Sequence, residues 1–204
     1  MKTNNIITSP NVSCLWPNLI TPSTKFNERG VYDVTMILTP GNPEHQRFIE
    51  YIEREYQNAY NAMCKEQGKP KLKKADSPLT PVTTADGMET GDFKIKAKLT
   101  ASGETKDGRR FERKPALFDV HGKPWKGSVI GNGSMLRVAM RPNPFYVPAL
   151  GAGLSLRLEA VQVIEAREGG KGFSEFGFVA QPEKEETTSS PFAGEATAEV
   201  DGDF

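Results

Sequence analysis

Twelve lysines and arginines lie from Lys94 to Arg141 against four acids, Glu104, Asp107, Glu112 and Asp119, so this stretch carries a charge of +8. Phe93, Phe111, Phe118, Trp125, Phe145 and Tyr146 lie in it or beside it. An unpaired nucleic-acid strand offers a row of phosphates and a row of exposed base faces. A binder indifferent to sequence therefore needs cations in a track with aromatic rings among them. Lys94, Lys96 and Lys98 alternate along DFKIKAKLT, which on an extended strand sets three ammonium groups on one face about 6.6 Å apart, a spacing suited to successive phosphates. Arg109, Arg110 and Arg113 surround Phe111 in RRFERK, and Lys126 follows Trp125 in GKPWKG. Rings in such charged settings are candidate stacking platforms rather than core. Arg137 and Arg141 fall on the face of their strand opposite Leu136, Val138 and Met140, so two basic strand faces are expected to form one groove. Tyr146, between Pro144 and Pro148, joins the candidates, although that setting suits packing on the end of the fold equally well. A lysine row also serves as a solvated face or a guard against edge pairing, and Phe93 shares the parity of Ile95 and Leu99, which places it in the core.

These residues need a β scaffold, and the pattern supplies one. Period-two alternation predicts strands over 11–16, 31–38, 92–100, 116–120, 134–141 and 154–165, with a further one at 173–179 after Gly169-Gly170. On the second of these, Asp33 and Thr35 mark the wetter face. Asp107-Gly108 suits a type I′ hairpin with its return arm over 109–114. In 154–165, Leu154, Leu156 and Leu158 share one parity and Val161 and Val163 the other, so a bulge is expected near Ala160. One helix is signalled: Asn42 as N-cap, Pro43 in the first turn, Gly68 and Pro70 beyond the end, and Phe48, Ile49, Ile52, Tyr56, Ala59, Tyr60 and Met63 at three- and four-residue spacing. Residues 65–91 have no sustained period and read as one long connection. GNGS (131–134) and GAG (151–153) read as tight turns. The sum is mainly β: a small OB-type barrel with one helix.

The formal charge of zero hides an asymmetry. Residues 181–204 hold seven acids and one lysine, a charge of −6, which leaves the body at +6. A basic body with an acidic tail points to a polyanionic partner. The chain divides into a binding domain over 1–180 and a tail over 181–204 too poor in large apolar residues to order itself, which is therefore expected to be disordered. A tethered acidic segment has a high effective concentration for its own basic groove. Two cysteines, Cys14 and Cys64, lack the spacing of a metal site or a disulfide framework, so neither metal nor cofactor is expected. With no leader-like start and no run of about 18 apolar residues, a cytoplasmic location is expected. His121 beside Asp119 has no partnered nucleophile, and an enzymatic role is not expected.

The segments PALFDVHGKP (115–124), GNGSMLRVAM (131–140) and GAGLSLRLEAVQVIE (151–165), the order strand, helix, strand, and the acidic tail closing in Phe204 resemble the single-stranded DNA-binding proteins of tailed bacteriophages related to the short-tailed coliphages. The resemblance covers nearly the whole chain. It implies an OB-fold body that coats single strands in phage DNA replication, recombination and repair. It also implies a tail that recruits replication proteins of phage or host, polymerase or helicase, and competes with DNA for the basic groove. Those roles would fall on Glu199, Asp201, Asp203 and Phe204. Thr, Ser, Ala and Gly interrupt the acids of this tail, which points to weak self-competition. A homodimer is compatible with this reading. The alternatives are an RNA-binding OB or cold-shock-like protein, since nothing in the sequence reads a 2′-hydroxyl, and a structural adaptor that binds no nucleic acid.

Overall fold

The computed structural model describes residues 5–105 and 107–168. The elements are β1 (Ile7–Thr8), β2 (Val12–Ser23), β3 (Val31–Leu38), α1 (Pro43–Glu66), β4 (Leu79–Thr83), β5 (Glu89–Thr100), β6 (Ser102–Glu104), β7 (Arg110–Glu112), β8 (Ala116–Phe118), β9 (Met135–Val147) and β10 (Gly151–Glu165). The strand expected at 173–179, the turn at Gly169-Gly170 and the acidic tail lie outside the described residues.

Five strands pair in a ring. β2 runs antiparallel to β3, β3 to β5, β10 to β9 and β9 to β2, and β5 is joined to β10 in parallel. Two of the joins are narrow: β5 meets β10 through Leu156↔Ala97 and Arg157↔Lys98, and β9 meets β2 through Val12↔Leu136 and Ser13↔Met135. The architecture is thus a partly open five-stranded barrel of the OB type, with β1, β4 and β8 added at its edges and β6 and β7 forming a separate hairpin. Alternation fills the barrel. Ile95, Ala97 and Leu99 of β5, Leu136, Val138 and Met140 of β9, and Val34, Met36 and Leu38 of β3 are buried. In β10 the register shifts between Leu158 and Ala160, the bulge that the parity change demanded, and Leu154, Leu156, Leu158, Val161 and Val163 all reach the core.

Helix α1 begins as its caps dictate. The Asn42 side chain accepts the Glu44 N–H at 2.9 Å, and Pro43 gives up no bond in the first turn. Phe48, Ile49, Ile52, Ala59, Tyr60 and Cys64 form its buried stripe, set against β9 and β10. Burial pushes the Tyr60 phenol above its ordinary range, and it pushes the Cys14 thiol up to about 11. Both cysteines are free and buried.

Several expectations are corrected. Residues 65–91 are not one connection: β4 pairs with β5 through Leu79↔Ile95 and Pro81↔Phe93. Pro81 obscured that strand, yet it is harmless there because among the described residues β4 is an edge strand paired only with β5. β9 runs to Val147 through Pro142 and Pro144 for the same reason, since among the described residues it pairs beyond Arg141 with β10 alone. The β6–β7 reversal closes on Thr105 and Arg109 with Gly108 at φ 77°, one residue longer than the expected two-residue type I′ turn. Asp33 and Thr35 are buried rather than wet. GNGS is a turn, closed by Ser134 N–H on Gly131 O at 3.2 Å. GAG is not a turn: it opens β10, where residues 73–75 cross at close range.

That crossing explains both glycines. Ala152 N–H donates to Lys73 O at 2.8 Å and Ala75 N–H donates to Ala152 O at 2.9 Å. A Cβ on Gly151, at φ 108°, would lie 2.5 Å from the Lys73 carbonyl oxygen, so a side chain meets backbone that cannot yield. Gly151→Ala is expected to cost roughly 2 kcal/mol, seen as a lower denaturant midpoint at unchanged m-value.

Candidate nucleic-acid interface

The outward parity of β5 presents Lys94, Lys96 and Lys98, as expected, with Lys96 and Lys98 exposed and Lys94 half-buried. Register then carries the positive charge across the sheet. Lys98 pairs with Arg157 of β10, and Arg157 pairs with Arg141 of β9, so three cations from three strands stand in one row. Lys96, Lys98, Arg113 and Arg157 line a cleft of about 400 Å³, together with Thr100, Asn143 and Ser155, and among the described residues no acid lines it.

Carboxylates on the same sheet face pair with these cations, Asp33 lying opposite Lys98 in the β3–β5 register. Asp33 on β3 forms an ion pair with Lys96, and its other oxygen accepts a 2.6 Å hydrogen bond from Asn18; these partners account for its burial. Glu159 stands between Arg141 and Arg157, with Oε1–Nε distances of 3.2 and 3.0 Å. Such pairs fix the long side chains and leave the terminal N–H donors of Arg141 and Arg157 beyond the Nε contacts to Glu159.

The cleft continues past Arg113. A neighbouring depression of about 490 Å³ is lined by Arg29, Tyr32, Ser102, Arg113 and Lys114, with Glu28 and Glu112. Arg113 also lies over the Phe111 ring at 4.0 Å from its centroid. A Cβ on Gly103 would come within 2.7 Å of that ring, so Phe111 is already stacked, with Gly103 and Arg113 against it. Arg109 and Arg110 are exposed at the end of this hairpin.

The other expected residues do not join this surface. Arg137 pairs with Gln162, beyond the β10 bulge, about 15 Å along the strand from Arg157. It lines a different cleft with Thr8, Phe118 and Gly122, so the two basic faces do not make one groove: Arg141 joins the lysine row and Arg137 does not. Trp125 is on the Arg137 side, its backbone N–H donating to Leu117 O at 2.9 Å. It packs against the core and over Gly127, where a Cβ would come within 2.3 Å of the indole. Lys126 is exposed beside it. Tyr146 packs against the small cluster of Tyr60, Cys64, Leu72 and Ala152 at the barrel end. Asp119 closes its own turn by accepting the N–H groups of His121 and Lys123 at 2.9 and 2.8 Å, a structural use of that carboxylate. Glu199, Asp201, Asp203 and Phe204 lie outside the described residues.

Three residues absent from the sequence-derived set stand out. Arg157 was outside the stretch chosen for its charge, although its parity opposite Leu156 and Leu158 marks it as outward. Phe26, in the connection between β2 and β3, is 91% exposed, with Lys25 Nζ 5.3 Å from its ring centroid; its setting TKFNERG is as polar as that of Phe111. Trp16 is 63% exposed. It adopts φ 47° where the β2–β3 register slips between Leu15 and Asn18, and its backbone N–H is held by the Asn132 side chain. Asn18 ties this bulge to Asp33, and Asp33 to Lys96.

The family described as single-stranded DNA-binding protein of bacteriophage T7 matches residues 12–166. The single-stranded DNA-binding protein of Escherichia phage T7 is 29% identical over 203 residues, covering 87% of this chain and 86% of the relative. That of Enterobacteria phage T3 is 31% identical over 162 residues, covering 74% and 68%. Among solved structures, gp2.5, a single-stranded DNA-binding protein encoded by bacteriophage T7, aligns with a TM-score of 0.68 at 25% identity, over 87% of this chain and 99% of that one. The bacteriophage Enc34 single-stranded DNA-binding protein in complex with ssDNA shares the fold, with a TM-score of 0.58 at 17% identity over 82% and 90%. Since the family match spans every strand of the ring and the helix packed on it, this chain belongs to the bacteriophage T7 single-stranded DNA-binding protein family.

Proposed function

We propose that the protein binds single-stranded DNA without sequence preference along the cleft between β5, β10 and the β6–β7 hairpin, and that it protects and organises unpaired strands in phage DNA replication, recombination and repair in the host cytoplasm. The observation that carries this is the cleft lined by Lys96, Lys98, Arg113 and Arg157, with no acid among its described lining residues, in which register sets Lys98 beside Arg157. Lys94 and Arg141 flank it and Arg109 and Arg110 extend it toward the hairpin end. The role is binding without catalysis. The tail, at −6 against a body at +6, recruits polymerase or helicase through Glu199, Asp201, Asp203 and Phe204.

A titration of a short oligo-dT, about 6 nucleotides, at two salt concentrations tests the cleft. Four phosphate contacts predict a log–log salt slope of about −3, hence a loss of about 50-fold between roughly 50 and 200 mM salt. Competition by oligo-U of equal length should be weaker. Salt-independent binding, or no binding at low salt, contradicts the reading; preference for oligo-U replaces DNA with RNA as the ligand.

A further inference from the structure

A second basic feature adjoins the cleft and uses none of the cations assigned to it. After α1 the chain turns at Gly68 (φ 63°) into a strap, residues 69–78, with little regular structure but many anchors. Lys69 N–H donates to Cys64 O at 3.0 Å. The Tyr60 hydroxyl donates to Leu72 O at 2.9 Å and accepts from Leu72 N at 3.2 Å. Tyr56 donates to Ala75 O, and Ala152 of β10 bonds the strap from the other side. Leu72 and Ala75 are buried while Lys69, Lys71 and Lys73 are exposed. Lys74 is committed elsewhere: its ammonium donates to Gln57 Oε1 at 2.9 Å and lies 4.9 Å from the Tyr60 ring centroid.

Two features set the three exposed lysines apart from a merely solvated face. Their backbone is fixed before any ligand arrives, so a bound strand does not have to order it. Among the described residues, none of the three forms an ion pair, in contrast to Lys96, Arg141 and Arg157; Lys73 donates to a neutral acceptor, Ala149 O, at 3.0 Å. The strap also abuts the cleft. A Cβ on Gly153 would meet the Ala75 methyl at 2.8 Å, Ser155 two residues on lines the cleft, and Pro78 at the strap's end is part of the cleft wall.

We infer that this strap is a second phosphate-contact segment, in which Lys69, Lys71 and Lys73 continue the track of a bound single strand past the Ser155 end of the cleft. The inference rests on the cleft being the primary site. It makes the binding site longer than the barrel groove alone and separates two length classes of ligand.

The test compares oligo-dT of about 6 and about 20 nucleotides on the full-length protein and on a Lys69→Gln/Lys71→Gln/Lys73→Gln variant. In the wild type the salt slope is expected to be steeper by about 2 for the longer strand, at about 0.7 per phosphate for three lysines. The variant should lose that difference and about 10-fold or more of its affinity for the longer strand at low salt, while binding the shorter strand unchanged and keeping the wild-type circular dichroism. Equal slopes for the two lengths in the wild type, or a variant that binds the longer strand as the wild type does, overturns the strap. If the short strand fails to bind the wild-type protein at all, the cleft reading is what fails.

Discussion

Reversing the two central charges of the cross-strand row, Lys98→Glu with Arg157→Glu, is expected to lower the affinity for a short oligo-dT by about 100-fold or more at low salt. Hydrogen bonds to charged groups contribute about 1.5–3 kcal/mol each, so losing two reaches about 3 kcal/mol before repulsion is added, and each 1.4 kcal/mol is about tenfold. Both side chains are exposed and Glu159 keeps Arg141 as a partner; an unchanged circular dichroism spectrum is expected and checks that the fold survives. The matched control is Arg137→Glu, which removes a cation on the far side of the bulge. It should leave short-strand affinity nearly unchanged, and an equal loss in that control would mean that net charge, not the cleft, governs binding. Gel shift or fluorescence anisotropy measures both.

The second large effect concerns the aromatics. Trp16→Ala is expected to cost about 1–3 kcal/mol in single-strand affinity, the usual contribution of one stacked base, whereas Trp125→Phe should cost little. Trp16 is exposed in a left-handed conformation that a non-glycine residue rarely adopts. Such strain is retained where the surrounding structure over-determines it, often at binding surfaces, and here Asn132 fixes the backbone and Asn18 links it to the Asp33–Lys96 pair. Trp125 instead has its ring against Gly127 and the core. Intrinsic fluorescence separates the two: oligo-dT should quench the signal of a Trp125→Phe protein and leave that of a Trp16→Phe protein almost unaltered. Quenching confined to Trp125 would contradict the assignment.

How far the sequence led depends on the kind of signal. Alternation along DFKIKAKLT placed Lys94, Lys96 and Lys98 outward because a buried Ile95, Ala97 and Leu99 leave the other parity no alternative. The parity change in β10 located its bulge for the same reason. Helix α1 was legible through Asn42, Pro43 and Gly68, which act locally. What could not be read was pairing across long separations. Register alone brings Arg157 beside Lys98 and Arg141, and the rise along β9 parts Arg137 from Arg141. Composition around Trp125 suggested exposure, yet Gly127 offers the ring a flat backbone to cover, a contact that no charge count foresees. Asp33 looked wet because nothing in its own strand announces Asn18 or Lys96. Pro81 and Pro142 disguised strands whose edges had no need of their missing N–H groups.

The claim on which the rest depends is that phosphates are held by the row through Lys98 and Arg157. Its most direct test is the salt dependence of short oligo-dT binding by the wild type and by Lys98→Gln/Arg157→Gln, which removes charge without adding repulsion. Two lost phosphate contacts should make the log–log slope shallower by about 1.4. A variant slope equal to that of the wild type would show that the strand runs elsewhere.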